Sequence, residues 1–522
     1  MQRTHATTHP PHTPSRWPEH LAAIDLGSNS FRLEIGIARD GGYRRIEYLK
    51  ETVRLGAGLD AEGNLGEEAA QRGLACLARF AQRLEGYTPQ QVRAVATQTL
   101  REARNRDAFL ARAQGVLGLP IEVISGREEA RLIFAGVARL QPSNVRRLVV
   151  DIGGRSTELI VGSGLVPRRA ESFQVGSVGL SMKYFADGRL TEEAFRRAQI
   201  AAGAEFEEAL DAFGSAHWRE ALGSSGTASA VSQLLAASGI TDGRITPHGL
   251  RWCIAQCVRA GRVDRLALPG LRDDRRAVLA GGLAILYTLA THFGIEELHP
   301  ARGALRQGVI FEFAERRAAA RDPLHAHDMR DASVLGLQRR FAVDTEHAAR
   351  VAAVADALFA KVQPRSGAAS QAREERREAR RELQWAAALH EVGMMISHHD
   401  HHRHSAYVLA HADAAGFSQS QQRRLGDLVL AQRGSLRKSE SALANEIFAW
   451  QALCLRLAII KCHARNAVDA RAFDLVRDGS DATLRVRRAW SASRPRTSYL
   501  LGEEVAAWER GGPIRLRLAV RP

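Results

Sequence analysis

Cysteine is scarce. The chain has five in 522 residues, at Cys76, Cys253, Cys257, Cys454 and Cys462. So sparse and odd a set builds no disulfide framework and fits a reducing cytoplasm. Cys253 and Cys257 have the spacing of helix-face neighbours but lack companion ligands nearby, which argues against zinc. Long apolar runs are missing too. No stretch approaches the ~18–20 residues of a membrane span, so a cytoplasmic location is expected, with peripheral association the one route to a bilayer. The opening, MQRTHATTHPPHTPSRWPEH, has no signal-peptide core and is rich in Pro, Thr and His; residues 1–18 read as a disordered tail. Acid is in deficit: 58 Asp and Glu against 73 Lys and Arg leave a net charge of +15. That excess suits a polyanionic partner such as nucleic acid, anionic lipid or polyphosphate, although Arg enrichment along the whole chain would produce it as plain compositional bias.

What is present is mostly alternation of strands and helices. Residues 21–38 and 44–56 read as strands with glycine turns, and 92–97 and 120–125 as short buried strands. Apolar stripes at helical spacing run through 67–87, 107–118 and 127–140. A second strand-rich start at 147–175 leads into more helices. This is an α/β pattern. After about residue 318 strand signals fade and helices rich in Ala and Arg take over, until strand-like alternation returns at 482–490 and 514–521. A chain of this length needs three or four cores.

One device occurs twice. AAIDLGSNSFRLEI (22–35) and LVVDIGGRSTELIV (148–161) align without a gap, placing Asp25 on Asp151, Gly27 on Gly153, Ser30 on Ser156 and Leu33 on Leu159. An acid ends a strand, and small residues turn the chain back. Gly and Ser in such a turn gather N–H groups and hydroxyls around a concave spot that suits phosphate oxygens. The acid repels phosphate, so it is placed to hold Mg²⁺ or to orient a water. One copy alone would read as a tight β-hairpin. Two in register predict related lobes gripping phosphate from both sides of a cleft.

Within VISGREEARLIFAGV (123–137), Ser125 and Glu128 form an S-x-x-E capping box, which gives Glu128 a structural task. Glu129 falls on the inner helical face with Leu132, Ile133 and Gly136. An acid there, near a helix N-terminus beside a phosphate cleft, is a candidate general base; a buried structural acid is the plainer alternative.

Taken together, AIDLGSNSF, TQTLREARN, ISGREEARLI, DIGGRSTEL, GSSGT and GALRQGVI resemble the motifs of the exopolyphosphatase / guanosine pentaphosphate phosphohydrolase (Ppx/GppA) family, in order and spacing, over nearly all the chain past residue 20. The resemblance implies an α/β fold of two actin-like, ribonuclease-H-like lobes, at 19–133 and 134–317, then an all-α HD-like domain at 318–450 and a small mixed domain at 451–522. It implies Glu129, Asp151 and Glu158 as catalytic residues, with Asp25, Asp151 and Glu158 on the metal. The expected cofactor is Mg²⁺ or another divalent metal, with K⁺ a further candidate. Phosphate binding falls to Gly27, Ser28, Asn29, Ser30, Arg101, Gly153, Gly154, Arg155 and Ser156, and, more loosely, to Ser224, Ser225, Gly226 and Thr227 at a helix N-terminus.

Arg155 departs from the family, which carries Gly or Ala there. If the position needs positive φ, an arginine strains the loop; otherwise it can reach out and clamp a phosphate. His390 is followed by Glu391 where an HD-type hydrolase needs Asp, so the resemblance implies a helical domain that has lost its own hydrolase activity, despite His347 upstream and the histidines of 398–404. The expected activity is exopolyphosphatase, with guanosine pentaphosphate hydrolysis as the alternative and a retired polyphosphate-binding protein as a third reading that rests on Arg155 alone. The family suggests a homodimer.

Overall fold

The computed structural model describes residues 19–39, 42–321, 328–363, 370–465 and 473–521; the tail expected at 1–18 lies outside them. The chain forms two compact units, residues 1–327 and 328–522.

The first unit contains two five-stranded sheets of one topology. Strands β1 (Leu21–Leu26), β2 (Ser30–Arg39), β3 (Gly42–Thr52), β4 (Val92–Ala96) and β5 (Ile121–Val123) lie in the order β3-β2-β1-β4-β5. Strands β6 (Arg147–Ile152), β7 (Thr157–Ser163), β8 (Val166–Phe173), β9 (Glu220–Ser224) and β10 (Leu298–Pro300) repeat it as β8-β7-β6-β9-β10. In each sheet three antiparallel strands are followed by two parallel ones. Even the irregularities match. The β2–β3 register slips at Ile35/Gly36 and the β7–β8 register at Val161/Gly162, and these glycines occupy equivalent positions of the repeat. The α/β reading with two related, actin-like lobes holds. The strand expected at 44–56 stops at Thr52, because Arg54 turns left-handed (φ 53°) and opens a short helical turn at Leu55–Gly58.

A pair of helices, Gly126–Leu140 and Leu305–Arg321, packs with both sheets. Leu132, Ile133 and Val137 meet Leu305, Val309 and Ile310, and the same core takes in Ala23 of β1 and Val149 of β6. The divisions expected at 133/134 and 317/318 fall inside these two helices. They cross at glycine: a Cβ on Gly308 would overlap the Leu132 carbonyl, and one on Gly136 the Ala304 carbonyl. Gly308→Ala should therefore destabilise, by about 1–3 kcal/mol from overpacking, although alanine is the better helix former by ~1 kcal/mol. Urea denaturation reads the sign directly.

In the second unit, helices Met329–Arg340, Thr345–Val362, Ser370–Leu389, His401–His411, Gln419–Ala431 and Glu446–Cys462 share one core with a three-stranded sheet of β11 (Phe473–Asp478), β12 (Asp481–Arg487) and β13 (Arg515–Arg521). Phe473, Leu475, Leu484 and Leu516 of that sheet are buried in the same apolar cluster as Leu453 and Leu457. The boundary expected at 450/451 falls within the Glu446–Cys462 helix. No described helix is long and apolar enough to cross a membrane.

Candidate active site

The two repeated turns face each other. Asp25, Gly27, Ser28, Asn29 and Ser30 from the first lobe and Asp151, Gly153, Gly154 and Ser156 from the second line one cavity of about 70 Å³, together with Glu129 and with Ser225, Gly226 and Thr227. The turns touch: a Cβ on Gly154 would come 2.9 Å from Ser28 Cβ, so glycine is what permits the approach. Their carbonyls are tied back into the lobes. Ser28 and Asn29 oxygens accept from the N–H groups of Gly56 and Arg54, and Gly153 and Gly154 oxygens from those of Ser177 and Val178, at 2.8–3.0 Å.

Four carboxylates collect here. Asp25, Glu129, Asp151 and Glu158 are buried. Asp151 and Glu158 are direct cross-strand partners on β6 and β7. Burial, against the pull of Arg101 and helped by Asp25 and Asp151, pushes the Glu129 carboxyl up to about 7. Burial raises Asp151 as well, and it raises Glu158 strongly with the help of Glu129 and Asp151. Glu158 is set back from the cavity, where it accepts from Ser172 Oγ at 2.8 Å.

The cap at the Gly126–Leu140 helix separates the two neighbouring glutamates. Ser125 Oγ accepts from the Glu128 N–H at 3.2 Å, and the Glu128 carboxylate forms a two-point pair with Arg131, both contacts at 2.8 Å. Glu129, one residue on, turns into the cleft and accepts from Arg101 Nη1 at 2.8 Å. Arg101 also donates to Gln98 and to the Ile124 carbonyl, and it does not line the cavity. Here it positions Glu129 rather than reaching toward the cavity. Ser224 also stays behind the wall, donating to the Gly303 carbonyl at 3.1 Å.

Arg155 neither strains its loop nor clamps phosphate. Its φ is not in the positive region, so the loop carries no left-handed arginine. Its guanidinium leaves the cavity and joins the lobes, donating to Glu102 at 2.7 Å and to the Gly56 carbonyl at 3.2 Å. The strain lies elsewhere, at Ser225, which has φ 72° at the start of the Ser225–Ala237 helix. Ser225 Oγ and Thr227 Oγ1 both donate to the Ile152 carbonyl, at 2.9 and 3.0 Å, locking this turn against the end of β6.

Three arginines that sequence reasoning passed over complete the lining: Arg32, Arg275 and Arg306. Arg32 is the cross-strand partner of Asp25, as Glu158 is of Asp151, so the repeat places a cation in one lobe where the other has an acid. That inversion was the signal available in the alignment. Asp25 is neutralised by Arg32 at 3.2 Å and Arg306 at 3.6 Å. Among the described residues no basic side chain lies within ion-pair distance of Asp151 or Glu158, and no acid within that distance of Arg275. Arg275 lies against Gly226, and its own burial and Arg32 nearby push its guanidinium down. The cavity thus has a wall short of positive charge and a wall short of negative charge. Buried oxygen ligands on Asp151 and Glu158 fit a hard divalent cation, whereas Asp25 is already matched by two arginines.

The chain is similar to known proteins along most of its length. The profile of the Ppx/GppA phosphatase family matches residues 37–317, and that of Ppx/GppA phosphatase, domain III, matches 329–505. A guanosine-5'-triphosphate,3'-diphosphate pyrophosphatase of Aeromonas hydrophila is 35% identical over 500 residues, which cover 95% of this chain and 98% of that one. Two solved structures share the fold over part of the chain: an exopolyphosphatase-like protein (24% identity, TM-score 0.52, 57% of this chain and 99% of that one) and an exopolyphosphatase from Cytophaga hutchinsonii (23%, TM-score 0.52, 57% and 98%).

Proposed function

Because this chain belongs to the Ppx/GppA phosphatase family, we propose that its cleft hydrolyses the terminal phosphoanhydride of guanosine pentaphosphate, releasing orthophosphate and the tetraphosphate. The observation that carries the chemistry is the pairing, in one cavity, of a buried carboxylate raised to about 7 with Arg275, which has no acid within ion-pair distance among the described residues. The likeness over 95% of the chain to a guanosine pentaphosphate pyrophosphatase favours this substrate over polyphosphate, the substrate that the motif resemblance and the net charge lead one to expect.

In this reading Glu129 accepts a proton from the attacking water as its oxygen bonds to the terminal phosphorus, and the bridging oxygen leaves on the opposite side. Arg101 holds Glu129 in place. Arg275, Arg32 and the Gly/Ser turns neutralise the equatorial oxygens where charge is densest. Asp151, with Glu158 set back beside it and Asp25 on the facing turn, would hold a divalent metal, which when bound supplies further charge neutralisation on the phosphate. The test is phosphate release from guanosine pentaphosphate and from long-chain polyphosphate, side by side with Mg²⁺. A higher kcat/KM on the polymer would reverse the choice.

The net charge of +15 favours that second reading, exopolyphosphatase. The cleft can hold only the last phosphates, so a polymer must lie on basic surface elsewhere. Each contact releases a counterion, and by analogy with single-stranded nucleic acid log affinity should fall with log salt at about −0.7 per contact. If the polymer is the substrate, KM for long chains should rise steeply with salt and KM for a short chain far less. Equal slopes would leave the nucleotide as the substrate.

A further inference from the structure

The second unit gathers side chains that the cleft chemistry leaves without a role. His347, at the start of the Thr345–Val362 helix, meets His390 and Glu391, just past the Ser370–Leu389 helix. All three are buried, with exposures of 3%, 1% and 8%. One ligand atom of each lies within 4.8 Å of the others, the one such group of three found among the described residues. The Nε2 atoms of both histidines lie 3.9 Å from Glu391 Oε1.

The rings are arranged for ligation. His390 Nδ1 lies 2.7 Å from the Ala387 carbonyl, which can only accept, so Nδ1 carries the proton and Nε2 keeps its lone pair for the cluster. A backbone carbonyl on the far ring nitrogen is how a metal-binding imidazole is oriented. Ser405 and Gln432 both donate to the His390 carbonyl at 3.0 Å and fix its backbone. The cluster opens on a cavity of about 780 Å³, which leaves room for further ligands.

A buried carboxylate needs a positive charge. Here Arg465 provides it, donating to Glu391 at 2.6 Å and to Asp344 at 2.9 Å. The Arg465 side chain is 43% exposed and can swing to solvent. Glutamate in place of aspartate after His390 lengthens the arm by one methylene and still delivers an oxygen to the point where the two imidazoles converge.

We propose that His347, His390 and Glu391 form a binding site for a first-row divalent transition metal such as Zn²⁺, with open positions toward the cavity and Arg465 as the cation it displaces. Two imidazoles select against Mg²⁺ and Ca²⁺, which take oxygen ligands. With Zn–N near 2.0–2.1 Å, tetrahedral ligands stand roughly 3.3 Å apart, so closing on the ion requires shifts of about half an ångström from the 3.9 Å separations. The site is separate from the carboxylate cleft and does not depend on which phosphate substrate the cleft takes.

The experiment titrates the full-length chain with Co²⁺, reading its visible d–d bands, followed by displacement with Zn²⁺. One histidine-ligated Co²⁺ per chain, read from intense low-coordinate d–d bands, is expected beside any weakly absorbing Co²⁺ held by carboxylates in the cleft. His347→Gln and Glu391→Gln should weaken binding tenfold or more, with circular dichroism and phosphate release unchanged. Arg465→Ala removes the competing cation and should bind at least as tightly as the wild type, so the proposal stays testable even where a ligand variant folds poorly. A control replacing exposed His399 and the tail histidines His5, His9 and His12 should bind normally. Absence of the intense histidine-ligated Co²⁺ bands in both the wild type and Arg465→Ala, or bands lost in the control and kept in His347→Gln, overturns the proposal.

Discussion

Replacing Glu129 by glutamine is expected to lower kcat by roughly 10²–10⁴ while leaving KM close to the wild-type value. Glutamine keeps the shape of the side chain and its oxygen for Arg101, but it cannot take a proton from water. The neighbouring Glu128→Gln is the internal control. It loses part of the Arg131 pair near the helix start and should cost about 1 kcal/mol of stability with little effect on kcat. The two effects exchanged would assign the base to the wrong residue. The pH dependence adds a second signature. The Glu129 carboxyl is pushed up to about 7, and only its ionised form is a base, so kcat/KM should fall as pH drops through about 7. Stability runs the other way. Between the ordinary value of 4.5 and about 7 the folded state holds more protons at Glu129 than the unfolded chain does. The wild type should therefore lose stability relative to Glu129→Gln as pH rises across that window. Activity gained and stability lost over the same pH range would tie both to one group.

Contiguous features were legible in the sequence. The repeated turn is a run of fourteen residues, and its two copies led to two sheets of equal strand order, matched down to the slips at Gly36 and Gly162. Helical phase was enough to send Glu128 and Glu129 to different surroundings. What could not be read was convergence. Arg32, Arg275 and Arg306 come from a strand and two distant helices, and only the closed topology brings them to one cavity. Strain was misplaced for a related reason. The backbone of the second turn is held by Ser177 and Val178, whose positions along the sequence say nothing of that contact; Arg155 there is relaxed, and the left-handed residue is Ser225, at the start of another helix. β11 was missed because six residues with charges at Asp474, Arg477 and Asp478, FDLVRD, give too short an alternation to stand out until β12 pairs with it. The Glu391 position was read through the aspartate it replaces, and its gathering with His347 and His390 depends on helix packing that spacing does not reveal.

Asp151→Asn is expected to abolish metal-dependent turnover, by about 10²–10⁴, whereas His390→Asn should leave it within a few-fold of wild type. A cation on a phosphoryl oxygen is worth several kcal/mol of transition-state stabilisation, and each 1.36 kcal/mol is a factor of ten. Asp151 is the acid best placed to anchor one. It lines the cavity, its cross-strand partner Glu158 is a second carboxylate, and no basic side chain among the described residues neutralises either at ion-pair distance. Asp25 stands at the equivalent point of the other lobe but is already matched by Arg32 and Arg306, so Asp25→Asn should cost less than Asp151→Asn. Misfolding does not account for the expected loss. Burial raises the Asp151 carboxyl above its ordinary range, so removing its charge relieves the folded state at neutral pH rather than burdening it. The measurement is phosphate release against Mg²⁺ concentration for the three variants. If Asp151→Asn alone loses its Mg²⁺ dependence, the phosphatase centre is the cleft between the repeated turns. Loss in His390→Asn with Asp151→Asn intact would move the chemistry to the histidine cluster, and the transition metal there would then be the catalytic one.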